Sequence, residues 1–184
     1  MNGRMAAGML MAALLLAGCG RRPLTERDQA LCVRVADFKK CGWNFENLQM
    51  VERYQFEYDR GGIWMVNYLG KGYDEAGEEI LDVEFTASCG PLVVRAGFDG
   101  ARGQMENQHG WVRGENLIAH APKSFVFQHV RGGETNATMA CWMESGKMFR
   151  LNVGGLPILS AEDFMRLIQD KTNGWATWDP GEKR

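Results

Sequence analysis

Alternation of apolar and polar residues through the middle of the chain is the feature that most limits its fold. Leu48, Met50, Tyr54, Phe56 and Tyr58 alternate with Gln49, Arg53, Gln55 and Glu57. Leu81, Val83, Phe85, Ala87 and Cys89 alternate in the same way with Asp82, Glu84, Thr86 and Ser88. A period of two is strand spacing, because successive side chains of a strand point to opposite faces of a sheet. Between these runs Asp59-Arg60-Gly61-Gly62 reads as a turn, Ile63 to Leu69 as a returning strand and GKGYDEAG (70–77) as a longer turn. Further along, Ser124 to Arg131, Ala137 to Glu144 and Lys147 to Val153 read as strands joined at Gly132-Gly133 and Ser145-Gly146. Strands in sequential hairpins make an antiparallel meander and speak against a doubly wound parallel sheet.

Helical spacing is expected at both ends. Thr25 is a candidate N-cap, Leu31, Val35 and Phe38 share one helix face, and Lys39, Lys40 and Gly42 mark an end, which predicts a helix over 26–40. Ser160 and Asp163 form a capping pair that opens a second helix running to about Lys171, with Phe164, Leu167 and Ile168 on its buried face. Gly90-Pro91 ends a strand ahead of another apolar run, Leu92 to Phe98. Residues 99–116 are glycine-rich without clean periodicity and read as a long irregular loop. The expected fold is α+β: an antiparallel sheet of about six to seven strands in hairpins, with an N-terminal and a C-terminal helix packed on it. Residues 25–171 suffice for a single domain, and 172–184 read as a loose tail in which Trp175 and Trp178 are candidates to pack.

The N-terminus, MNGRMAAGMLMAALLLAGCG, places Arg4 ahead of an uncharged run from Met5 to Gly18. That run falls short of the roughly 20 apolar residues a membrane-spanning helix needs, and it has the layout of a secretory signal. Leu16-Ala17-Gly18-Cys19 resembles the lipobox of bacterial lipoproteins. The resemblance implies that 1–18 is a signal peptide and that Cys19, bearing diacylglycerol, opens the mature chain. Residues 19–24 would then be a short lipidated tether to the membrane. It also implies the outer membrane, facing the periplasm, because Gly20 is not the aspartate that commonly retains such proteins in the inner membrane.

Cys19 set aside, Cys32, Cys41, Cys89 and Cys141 remain. Four cysteines in an oxidising compartment predict two disulfides, with three connectivities open. On one continuous helix Cys32 and Cys41 would lie about 13.5 Å apart, beyond the roughly 7 Å that a disulfide spans. A local pair therefore needs the helix to stop or bend between them. Removal of residues 1–18, which hold Arg4 and no acid, takes the formal charge from −2 to −3. Such a balance lacks the clustered basic face of a nucleic-acid-binding domain.

No motif in the chain marks out catalysis, and none implies a cofactor. His109, His120 and His129 lack the close spacings of zinc sites, so no metal site is expected. Ser88-Cys89-Gly90 reads as structural rather than nucleophilic, and no G-x-S-x-G elbow is present. Ser145-Gly146-Lys147-Met148-Phe149 resembles the S-G-x-x-Y loop of periplasmic lysozyme inhibitors, with phenylalanine in place of tyrosine. The rest of the chain does not match that family, and none of its inhibitory residues is carried over. The densest acidic spot is the turn holding Asp74, Glu75, Glu78 and Glu79, the candidate contact for a basic cleft on a protein partner. These readings together predict a membrane-anchored, non-catalytic binding protein, such as an inhibitor or immunity factor against an envelope hydrolase. The alternative is an accessory subunit of an envelope secretion or assembly machine.

Overall fold

The structure, a computed structural model, describes residues 20–21, 23–59, 61–118, 121, 123–155 and 159–180. The expected signal 1–18, the lipidation residue Cys19, His120 and residues 181–184 of the expected tail lie outside the described residues. In chain order the elements are β1 (Gly20–Arg21), α1 (Glu26–Leu31), a 3-10 helix (Val35–Cys41), β2 (Gln49–Tyr58), β3 (Trp64–Tyr73) and β4 (Glu79–Cys89). There follow α2 (Pro91–Glu106), β5 (Trp111–Arg113), β6 (Lys123–Arg131), β7 (Glu134–Glu144), β8 (Lys147–Gly154) and α3 (Ala161–Ala176).

The strands form one sheet in the order β1-β2-β3-β4-β8-β7-β6-β5, with every neighbouring pair antiparallel. Two meanders, β2–β4 and β5–β8, join where β8 returns to pair with β4. The α+β architecture read from the sequence is therefore the one observed, with β1 and β5 as short outer strands. Gly20 and Arg21, expected in the tether, pair with Tyr58 and Glu57 as strand.

Each face of the sheet carries its own core. On one face α1, the 3-10 helix and α3 pack over Phe56, Val66, Tyr68, Val83, Phe85, Ala140, Trp142, Phe149 and Leu151. On the other, α2 covers Phe125, Phe127, Met139, Cys141 and Met148 with Val94, Phe98 and Met105. The far face of β2, β3 and β4 lies outside this second core.

Three local expectations differ from the structure. The helix expected over 26–40 is two short segments. Thr25 caps the first through a reciprocal pair with Asp28, and the Asp37 carboxylate accepts the Arg34 N–H at 2.8 Å to start the second. A carboxylate that satisfies the free donors of a new helix start competes with continuation of the old helix. The apolar run at 92–98 and the first half of the expected loop 99–116 form a single helix, α2. Pro91 occupies its first turn, where a missing N–H costs nothing. Val94, Phe98, Ala101 and Met105 recur at helical spacing on its buried side. Finally, α3 continues past Lys171 to Ala176, and Trp175 and Trp178 are buried in the core, so 172–180 is no loose tail.

Glycine disguised α2 in the sequence. Gly97, Gly100 and Gly103 interrupt it, each at a cost of about 1 kcal/mol relative to alanine. An added Cβ would meet nothing within 4 Å at Gly100 or Gly103. Gly100→Ala and Gly103→Ala are each expected to raise stability by about 0.5–1 kcal/mol. Urea denaturation measures this, and no gain at either site would show that the segment is not helical.

Candidate functional site: the β3–β4 hairpin and the uncovered sheet face

The hairpin tip is built by one of its own acids. The Asp74 carboxylate accepts the N–H groups of Ala76 (3.0 Å) and Glu78 (2.8 Å), while backbone bonds Gly77 N–H to Asp74 O and Asp74 N–H to Glu78 O close the turn, each at 3.0 Å. Gly77 supplies the positive φ of 80° that the turn needs. Glu79 is drawn back into an ion pair with Lys71 at 2.6 Å. Of the four acids singled out in the sequence, Asp74 thus shapes the turn and Glu79 is neutralised. Glu75 and Glu78 are exposed and make no ion pair among the described residues.

A register shift follows immediately. Gly72 faces Leu81 while Tyr73 faces Glu79, so β4 holds one extra residue, Ile80, at this point. Such a bulge bends a strand and re-aims its side chain. Ile80 is 40% exposed as a result. The tip therefore presents two carboxylates beside one apolar side chain on a backbone tied by several hydrogen bonds. Sequence reasoning found the acids and missed Ile80, because only the pairing register reveals the extra residue.

Below the tip, the sheet face beyond α2 carries polar side chains of β4 and β8 beside Met65 and Leu69 of β3. On it Thr86 donates to the Asn67 side chain (2.9 Å), and the Arg150 guanidinium donates to Glu84 (2.8 Å) and more weakly to Thr86 (3.5 Å). Ser88 is only 1% exposed. Ser88 Oγ, Asp82 Oδ1, Asn152 Oδ1 and Arg150 Nε have no hydrogen-bond partner among the described residues. Burial pushes the Asp82 carboxyl above its ordinary range; Lys71 opposes the shift, while Glu79 and Glu84 add to it. The sequence places Asp82, Glu84, Thr86 and Ser88 on the outer face by alternation, and the structure keeps them there. It half-buries the first two and buries the others, which alternation alone does not reveal.

No two of the four described cysteines are bonded to each other in the structure. Cys32, Cys41 and Cys89 belong to the core under α3, whereas Cys141 sits in the core under α2, on the opposite face of the sheet. A strand side chain reaches its partner only on its own face, so Cys141 pairs with none of the other three. With Cys141 set apart, this arrangement leaves no way for the four cysteines to form the two expected disulfides. Burial pushes the Cys32 and Cys141 thiols up to about 12. Cys141 is expected to stay unmodified by a thiol reagent in the native protein and to react only on unfolding. Peptide mapping under non-reducing conditions checks this, and Cys141 recovered in a disulfide would overturn the assignment.

The remaining sequence candidates are dispersed. His109 is exposed in the turn before β5, and His129 pairs through Nδ1 with the Asn136 side chain at 2.6 Å. Among the described residues, no three His, Cys, Asp or Glu side chains gather as metal ligands. In the segment resembling the lysozyme-inhibitor loop, Ser145-Gly146 forms the β7–β8 turn and Phe149 is fully buried against Trp175. It offers no exposed ring to a partner.

Comparison with family models finds no match, and neither does comparison with curated proteins. Among solved structures the chain is similar to the extracellular domain of PknH from Mycobacterium tuberculosis. The two are 12% identical with a TM-score of 0.49, over 84% of this chain and 100% of that one.

Proposed function

We propose that this protein is a lipid-anchored, non-catalytic binding protein of the bacterial envelope that engages a protein partner through the β3–β4 tip. In this reading the anchor is acylated Cys19, and the site is the outer membrane facing the periplasm. The partner is an envelope hydrolase that the protein inhibits or to which it confers immunity. The observation that carries the reading is the pairing of two exposed, uncompensated carboxylates with the bulged Ile80 on a tightly hydrogen-bonded turn. Charge at a tip steers encounter with a basic cleft, and an adjacent apolar side chain gives the docked state something to bury. A turn already ordered by Asp74 loses little freedom on binding.

The test is affinity capture from envelope extract with the lipidated chain, compared with a Glu75→Gln/Glu78→Gln variant. A single captured hydrolase whose association rate at low salt falls about tenfold in the variant is the expected result. A rate insensitive to both charge and salt would remove the tip from the interface. Capture of a set of machine subunits would favour an accessory role in an envelope complex.

A further inference from the structure

The register of the sheet says which end of the domain meets the membrane, an inference that rests on the lipid-anchor reading. Gly20 faces Tyr58, Tyr58 faces Trp64, Trp64 faces Cys89, Cys89 faces Lys147 and Lys147 faces Glu144. These residues form one lateral row that marks an edge of the sheet. Cys19 precedes Gly20 directly, so a lipid on Cys19 would leave the domain at this row with no spacer. Acyl chains held that close to a folded edge bring the edge itself to the headgroups.

The loops at this edge suit that neighbour. Leu92, at the start of α2 just beyond Cys89, is 80% exposed, twice as much as any other large apolar side chain described as exposed except Val112 at 49%. Beside it are exposed Pro91, Gly61, Gly62, Ser145 and Gly146, with Ile63 half-buried. The charged side chains described here are tied into the fold by hydrogen bonds. Asp59 accepts the N–H groups of Gly61 and Ile63, and buried Lys147 donates to the carbonyls of Ser145 and Ala176. Glu144 and Asp179 also have interaction partners. Arg95, exposed on α2 close behind Leu92, is a cation within reach of lipid phosphates. On the opposite edge Glu75 and Glu78 carry uncompensated charge beside Asp74, while Glu79 is paired with Lys71 and Glu134 faces Arg131; acids still outnumber cations there, and anionic lipid would repel the excess. The ten residues of β3 separate the two edges by about 30 Å.

We propose that the edge beginning at Gly20 rests on the phospholipid surface with Leu92 among the acyl chains, so that the acidic β3–β4 tip points away from the membrane. The domain then stands upright on its anchor and does not swing on a tether, and its tip is held at a set height.

The experiment uses the lipidated full-length protein in vesicles of phosphatidylethanolamine and phosphatidylglycerol. A fluorescent amino acid is placed at position 92 or position 76, and quenching by nitroxide-bearing lipid is read. At least fivefold stronger quenching at 92 than at 76 is expected. Equal quenching, or stronger quenching at 76, with the protein lipidated and vesicle-bound, overturns the orientation while leaving the anchor intact. A chain that carries no lipid at Cys19 and does not stay with the vesicles overturns the anchor reading and the orientation together.

Discussion

Replacing Trp175 by alanine is expected to destabilise the protein by about 3–5 kcal/mol, the range for removing a large aromatic side chain from a core. Its ring is fully buried and stacks on Phe149 at a centroid distance of 4.4 Å, with Trp142 at 5.6 Å and Phe85 at 6.3 Å. Its indole N–H also donates to the Leu31 carbonyl at 3.0 Å, tying the end of α3 to the end of α1. Loss of the ring opens a cavity between helix and sheet and leaves that carbonyl without its donor. Domains have only about 5–15 kcal/mol in total, so the variant should lose a large share of its urea midpoint. A loss below 1 kcal/mol would mean that the residues after Lys171 do act as a tail.

The second large effect is expected at Asp37. Its carboxylate lies 3.0 Å from the Lys171 ammonium, with both side chains almost wholly buried at 9% and 6% exposure. Lys171 also donates to the Ala30 carbonyl at 2.8 Å, so the pair holds α3 to the 3-10 helix and to α1. Asp37→Asn keeps an acceptor for the Arg34 N–H but leaves a buried ammonium uncompensated. The expected cost is about 3–5 kcal/mol. Adding Lys171→Met should restore much of it, because removing both charges removes the desolvation problem.

The pH dependence of that variant has a definite sign. Burial lowers the Lys171 pKa below its ordinary 10.5, and Asp37 opposes the shift. Charged Lys171 is thus a net cost to the folded state at neutral pH, a cost that fades as pH rises toward 10.5. Without Asp37 the depression deepens, so the gap between variant and parent should narrow between pH 7 and the ordinary lysine value. Denaturation across that range checks it, and a gap that widens would show that the pair is not the source of the loss.

How much of this was legible in advance follows from the range of each interaction. Strand alternation is a local pattern, and β2, β3, β4, β6, β7 and β8 lie close to where period two put them. Ser160 and Asp163 likewise marked the start of α3 by a bond three residues long. The acidic turn was found for the same reason. Its internal division of labour, with Asp74 building the turn, Glu79 paired and Ile80 bulged, depends on register across β3 and β4 and was not readable. In α2 the signal was present at Val94, Phe98, Ala101 and Met105, but three glycines and a β-branched start outweighed it locally. Packing on β6–β8 reversed that balance, as tertiary burial commonly does for weak helix formers.

By itself, then, the sequence determined the class of fold: a hairpin-built antiparallel sheet with helices at its two ends, since period and caps act within a few residues. It also determined the acidic character of the β3–β4 tip and the lipobox-like start of the chain. Only the tertiary structure decided that the sheet closes through β4 and β8, that α2 covers one half of one face, and that Cys141 is stranded from the other cysteines. It alone decided that Lys171 finds Asp37 across 134 positions of chain. Each of those outcomes depends on which distant surfaces meet. Burial of apolar area selects that meeting without regard to separation along the chain.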